Sequence, residues 1–107
     1  MVVSRFEVWL VTLDPTQGSE IAKTRPCVII SPSSVNRFLN TVIIAPLTST
    51  RKPYPTRVDC QFDGQVGQIA LDQLRSVDKV RLTKRLGQLD EQVCQQVCIT
   101  LGALFAY

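Results

Sequence analysis

Residues 6–31 read FEVWLVTLDPTQGSEIAKTRPCVIIS, and this stretch decides the fold. Phe6, Val8, Leu10 and Thr12 alternate with Glu7, Trp9, Val11 and Leu13. A period of two is that of a strand, and because both sets are largely apolar the strand is expected to be covered on both faces, with Trp9 in the core. Asp14 to Ala22, carrying Pro15, Gly18 and Ser19, then reads as a polar loop of the kind that often carries function. Arg25-Pro26 leads into a second strand, Cys27 to Ser31. A proline has no N–H for a ladder, so that end of the strand is expected at an edge or a bulge.

The same alternation continues downstream. Pro32 stops the second strand, and Ser31 to Leu39 is expected to hold a short helical turn capped by Ser33 or Ser34. Thr41 to Thr48 is a third strand, followed by a loop, Ser49 to Pro55, too rich in proline for a regular element. Strands near Thr56 to Phe62 and Gln68 to Leu71 are joined by a turn at Asp63-Gly64. At the end the period changes: Leu89, Val93, Val97, Leu101 and Leu104 recur at helical spacing, with Asp90 as N-cap and Glu91 in the first turn. A helix from Asp90 to Phe105 would be roughly 24 Å long and must lie against the sheet. Gly102 weakens it or permits close approach. With no repeat and no linker, residues 1–107 form one α+β domain, mostly β.

Composition bounds the rest. The chain has 107 residues, 45% of them apolar and 20% charged, which excludes a disordered segment and leaves room for one core. No apolar run approaches the roughly 18 to 20 residues of a helical membrane span. Arg5 and Glu7 interrupt any apolar leader, so a cytoplasmic protein without a membrane segment is expected. The four cysteines lack the spacing of a secreted scaffold or a zinc set and are expected as buried, reduced thiols. Histidine is absent, which excludes Ser-His-Asp and Cys-His nucleophiles; no metal and no cofactor are expected. The net charge of +3 is a mild bias toward a polyanion.

The two loops concentrate the chemistry. If the strands pair in sequence, Arg25 and Thr48 meet at one rim of the sheet, both partly exposed, and a guanidinium beside a hydroxyl suits a phosphodiester. The runs DPTQGSEIAKTRPCVIISP, VIIAPLTS, YPTRV and IALDQLRSVDKVRL, in this order, resemble the MazF/PemK family of toxin endoribonucleases across nearly the whole chain. The resemblance implies an SH3-like barrel (CcdB/PemK-like) of short antiparallel strands with a C-terminal helix, and a homodimer. It also implies metal-independent, sequence-specific cleavage of single-stranded RNA, leaving 2′,3′-cyclic phosphate and 5′-OH ends, and neutralisation by an acidic MazE-like antitoxin. The family's catalytic arginine and threonine match Arg25 and Thr48. Glu20 matches a position with an acid-base or RNA-binding role, and Asp72 and Gln73 match an Asp-Gln pair near the RNA. Gln17, Ser19, Lys23, Ser49, Arg51 and Lys52, in the two loops, complete the expected RNA contacts. Where some members carry an arginine two residues before the aspartate, this chain has Ala70, so an Arg-Thr pair matches it and an Asp-Arg-His set does not.

Plainer readings stand beside these. Arg25 could pair with Glu20 on the surface, Thr48 could simply end a strand, and Asp72 could brace the turn after it. The basic run Lys79, Arg81, Lys84 and Arg85 reads as a solvated face. Two other functions compete with the nuclease: a non-catalytic CcdB-like toxin that traps DNA gyrase, and a peptide-binding adaptor, for which only Tyr54 offers an exposed loop aromatic.

Overall fold

A computed structural model describes residues 1–107. The elements in chain order are β1 (Glu7–Thr12), β2 (Thr24–Ile29), α1 (Ser33–Asn36), β3 (Thr41–Thr48), β4 (Arg57–Phe62), β5 (Gln65–Ala70), β6 (Arg75–Asp78), β7 (Leu82–Gln88) and α2 (Glu91–Leu104), with single 3-10 turns at Leu71–Gln73 and Lys79–Arg81. All strand pairs are antiparallel, in the order β4-β5-β3-β2-β1-β7, and β6 lies beside the first half of β3. β3 therefore changes neighbour along its length, from β6 at Thr41 to Ile44 to β5 at Leu47 and Thr48, and the sheet curls there.

Both faces of the early strands are buried, as their double apolar pattern requires. Val8, Val28 and Ala45 point into one core with Val58, Ile69 and, from α2, Cys94 and Val97. Trp9, Val11, Cys27, Ile29 and Ile44 point into a second with Val42, Val77 and Leu82. Asp90 caps α2 as its sequence predicts, accepting from the Val93 N–H at 3.0 Å. Beyond Gly102, which no neighbour approaches, the helix runs out over solvent: Leu104 and Phe105 are exposed. The Asp63-Gly64 turn has both residues at positive φ, 53° and 76°, the backbone that a two-residue hairpin needs to match strand twist.

Four expectations are corrected. The sheet is an open half-barrel and not a closed SH3-like barrel: β4 and β7 end the strand order without a ladder between them, and the Phe62 ring rests on Gly87 in the gap. α1 begins at Ser33 with Pro32 in the cap position and no side-chain cap, and the Ser33 hydroxyl instead accepts the Arg5 N–H at 2.9 Å. β5 starts at Gln65 and not Gln68, zipped to β4 as far as Phe62↔Gln65. The basic run is a solvated face only in part: it spans a 3-10 turn and the edge strand β7, Lys84 and Arg85 are exposed, and Lys79 and Arg81 are half-buried. Lys79 donates to the Asn36 carbonyl, Arg81 to those of Thr12 and Asp14 at 3.0 and 2.7 Å, and Arg85 to Glu7 at 2.7 Å, while Lys84 stays exposed.

Candidate active site

The site lies where β2 and β3 part. Their last pair is Cys27↔Pro46; beyond it β2 continues along β1 alone, with Pro26↔Leu10 and Arg25↔Val11, while β3 turns to β5 with Thr48↔Gln68. Pro26 thus stands at a local edge, where its missing N–H leaves no ladder bond unmade. Arg25 is half-buried, and its Nε donates to the Ala22 carbonyl at 2.9 Å. That bond orients the guanidinium plane and leaves both terminal nitrogens free of protein partners. Thr48 is more buried than its place at a strand end suggests, 8% exposed, and its Oγ1 accepts the Thr50 N–H at 3.1 Å. With a lone pair occupied, its hydroxyl proton is free to be donated to a ligand.

Arg25 and Thr48 line two clefts at once. One, of about 310 Å³, has apolar walls from Pro26, Leu47, Phe62 and Leu86. The other, of about 250 Å³, is polar, with Glu20, Thr50, Lys52 and Gln73 on its walls. Through Ser19, Glu20, Ile21 and Gln73 the polar cleft adjoins a third, of about 340 Å³, beside Arg75. The guanidinium and hydroxyl therefore sit on the ridge between an apolar and a polar recess, a continuous path suited to an extended chain.

The first loop is braced from outside. Glu20 does not pair with Arg25; its Oε1 accepts the Gln17 N–H at 2.6 Å, closing a turn around Gly18 at φ 54°. Gln73 grips the loop with both ends of its amide, accepting from the Ile21 N–H at 2.7 Å and donating to the Ser19 carbonyl at 3.0 Å. Lys23, at φ 71°, gives its N–H to Asp14 at 3.0 Å. Gln17, Ser19, Lys23, Ser49, Arg51 and Lys52 are all exposed. Arg51 leans away onto Asp59 at 3.0 Å, whereas Lys52 faces the polar cleft.

Asp72 holds Arg57, a residue of the polar cleft to which the sequence reading gave no role. Both carboxylate oxygens accept from it, at 2.7 and 3.2 Å, and Thr56 adds a third bond at 3.1 Å. Burial pushes the Asp72 carboxyl up, but the hydrogen bonds from Arg57 and Thr56 outweigh it and hold the pKa below the ordinary carboxylate value. The Arg57 side chain is only 6% exposed and stacks 5.3 Å from the Tyr54 ring centroid. The available signal was Arg57 in YPTRV together with an aspartate that had no assigned partner. Arg57 also lines the polar cleft, with its Nε and Nη2 edge engaged by Asp72.

Three cysteines are buried and only Cys98 is exposed. Burial pushes the Cys27 thiol up to about 12 against the opposing pull of Arg25 and Arg75, so it is no nucleophile at neutral pH. No three His, Cys, Asp or Glu side chains converge where they could hold a metal ion.

Residues 4–105 match the family described as PemK-like, MazF-like toxin of type II toxin-antitoxin system. The chain belongs to this family. Endoribonuclease EndoA of Bacillus subtilis is 33% identical over 103 residues, 91% of this chain and 89% of that protein. The crystal structure of MazF (Form-I) from Deinococcus radiodurans superposes with a TM-score of 0.87 at 27% identity, covering 100% of this chain and 99% of that one. The MazF-like fold also recurs in the MazE-MazF (Form-II) crystal structure from the same organism, with a TM-score of 0.79 at 27% identity over 97% and 96% of the two chains.

Proposed function

We propose that this MazF/PemK toxin is a sequence-specific endoribonuclease that cuts single-stranded RNA without a metal, leaving 2′,3′-cyclic phosphate and 5′-OH ends. The observation that carries this reading is Arg25, with two terminal nitrogens unspent, on the same ridge as a Thr48 hydroxyl whose proton is free. The planar fork of Arg25 binds the nonbridging oxygens of the scissile phosphate, and Thr48 donates a further hydrogen bond to it. Both contacts strengthen as charge accumulates on the pentavalent phosphorane. The RNA's own 2′-OH forms the new P–O bond and gives up its proton, the P–O5′ bond breaks, and the departing 5′ oxygen takes up a proton, so the phosphate stays behind as a 2′,3′-cyclic ester and no outside nucleophile is consumed.

Glu20 shares the polar cleft and gives one oxygen, Oε1, to the Gln17 N–H, which makes it a shaping residue of the first loop with Oε2 left without a partner. Gln73 and Asp72 act on the RNA indirectly, by holding the loop and Arg57. Gln17, Ser19, Lys23, Ser49, Arg51 and Lys52 supply loop contacts whose positions select the cut motif. A gyrase-trapping toxin would have no need of this arginine and hydroxyl.

Residues 1–107 work as one domain, and two copies form a homodimer. An acidic, MazE-like antitoxin segment competes with RNA for the same positive loops, as the net charge of +3 and the MazE-MazF relative support. No helix is long and apolar enough to cross a membrane, and the proposed substrate places the protein in the cytoplasm. The deciding experiment is incubation with long RNA in EDTA, followed by mapping of both new ends. Cleavage to the stated termini is expected; loss of cutting in EDTA that Mg²⁺ restores would overturn the metal-independent mechanism.

A further inference from the structure

Thr48, Gln68 and Asp59 form a row across three strands, Thr48 facing Gln68 in the β3-β5 register and Gln68 facing Asp59 in the β4-β5 register. Their neighbours Leu47, Ile69 and Val58 point to the core, so strand alternation turns this polar row to the opposite face. There it meets successive residues of the second loop. Thr48 Oγ1 accepts the Thr50 N–H at 3.1 Å. Gln68 Oε1 accepts the Lys52 N–H at 3.0 Å while its Nε2 donates back to the Lys52 carbonyl at 3.2 Å. Asp59 Oδ1 accepts from Arg51 at 3.0 Å and from the other Gln68 N–H at 3.1 Å.

Gln68 is 6% exposed, and a buried amide is costly unless its polar atoms are used. Here the amide is committed to both backbone atoms of one residue. A bond at one end alone would let the loop pivot; bonds at both ends fix the peptide's position and orientation. Lys52 lines the polar cleft with Arg25 and Thr48, so whatever fixes the Lys52 backbone also fixes the point from which its side chain reaches toward the cleft.

We propose that Gln68 is a positioning residue for RNA cleavage, clamping Lys52 and the second loop in register with Thr48. The proposal rests on the reading of Arg25 and Thr48 as the cleavage pair. Gln68 itself lies beneath the loop and touches no substrate. Misplacing a binding group by an ångström is enough to lose much of an enzyme's rate, and a loop that moves also changes which bases fit beside the cut.

The test compares wild type with Gln68→Met, which keeps the length and removes both hydrogen-bonding ends, and with Gln68→Glu, which keeps the acceptor for the Lys52 N–H and loses the donor. Amide exchange at Lys52 is read by NMR, together with kcat, KM and the spectrum of cut sites on a long RNA. In Gln68→Met, Lys52 exchange should speed up at least about tenfold, kcat should fall about tenfold with KM moving less than about threefold, and secondary cut sites should emerge. Gln68→Glu sets an acceptor against the Lys52 carbonyl and the Asp59 carboxylate, so it should lose at least as much as Gln68→Met, and it decides the matter if Gln68→Met does not fold. Faster Lys52 exchange with unchanged kcat and cut sites would overturn the positioning role, and unchanged exchange would overturn the clamp itself. Absence of RNA cleavage by the wild type would remove the underlying function and this role with it, while the exchange rates still report the clamp.

Discussion

Gly67 lies so close beneath Thr48 that a Cβ on it would stand 2.7 Å from the Thr48 carbonyl oxygen and 3.4 Å from its carbonyl carbon. The obstacle is backbone, so it cannot swing aside as a side chain would. β3 and β5 meet for only two residue pairs at this point, and the close approach brings Thr48 to the ridge between the clefts. Gly67→Ala is therefore expected to fold but to shift Thr48, lowering the single-turnover cleavage rate by about tenfold or more. A folded Gly67→Ala protein that cleaves at the wild-type rate would show that the position of Thr48 is immaterial.

Arg25→Ala should slow cleavage by about a hundred- to thousand-fold, the usual cost of losing a transition-state donor, and destabilise the half-buried site by no more than about 1 kcal/mol. Arg25→Lys should recover little, because an ammonium cannot bond the Ala22 carbonyl and two phosphate oxygens in one plane. Glu20→Gln keeps an oxygen for the Gln17 N–H and should be milder than Arg25→Ala. An equal loss in kcat would instead assign Glu20 the general base.

At Thr48 two roles of one hydroxyl can be separated. Thr48→Val removes both the acceptor for Thr50 and the donor to phosphate, and should cost about 1 kcal/mol of stability in urea melts as well as most of the activity. Thr48→Ser keeps both and should retain activity within about tenfold. If Thr48→Val cuts RNA normally, the hydroxyl serves the loop alone.

Acid should release Arg57. Because the folded Asp72 pKa lies below its ordinary value of 3.8, the pair's stabilisation is present above that value and is lost as pH falls through the folded pKa. Glu7 behaves likewise: burial raises its pKa, but hydrogen bonds from Ser4, Arg85 and Trp9 leave it lowered. Urea midpoints of the wild type should hold steady down to about pH 5 and fall below about pH 4. Asp72→Asn should be less stable by about 1.5 kcal/mol at pH 7 and lose less on acidification. A wild-type and an Asp72→Asn curve that run parallel below pH 4 would show that the pair carries no linkage.

Local signals in the chain determined most of the architecture. Alternation located β1 and all eight residues of β3, Asp63-Gly64 marked the hairpin, and Asp90 marked the start of α2, because each depends on residues a few positions apart. That Arg25 and Thr48 would share one rim was legible for the same reason, each standing at the junction of an apolar strand and a polar loop, and both line the same clefts. β6 and β7 were not: RSVD and LTKRLGQ carry too many charges to read as strands, and only ladders to β3 and β1 make them so. Whether the sheet closes, the pairing of Arg57 with Asp72, and the twin-ended grips of Gln68 and Gln73 on the two loops belong to tertiary structure. A glutamine's partners 16 or 52 residues away leave no periodic trace in a sequence, since it is the folding of β3 across β5 and β6 that brings those atoms within a hydrogen bond.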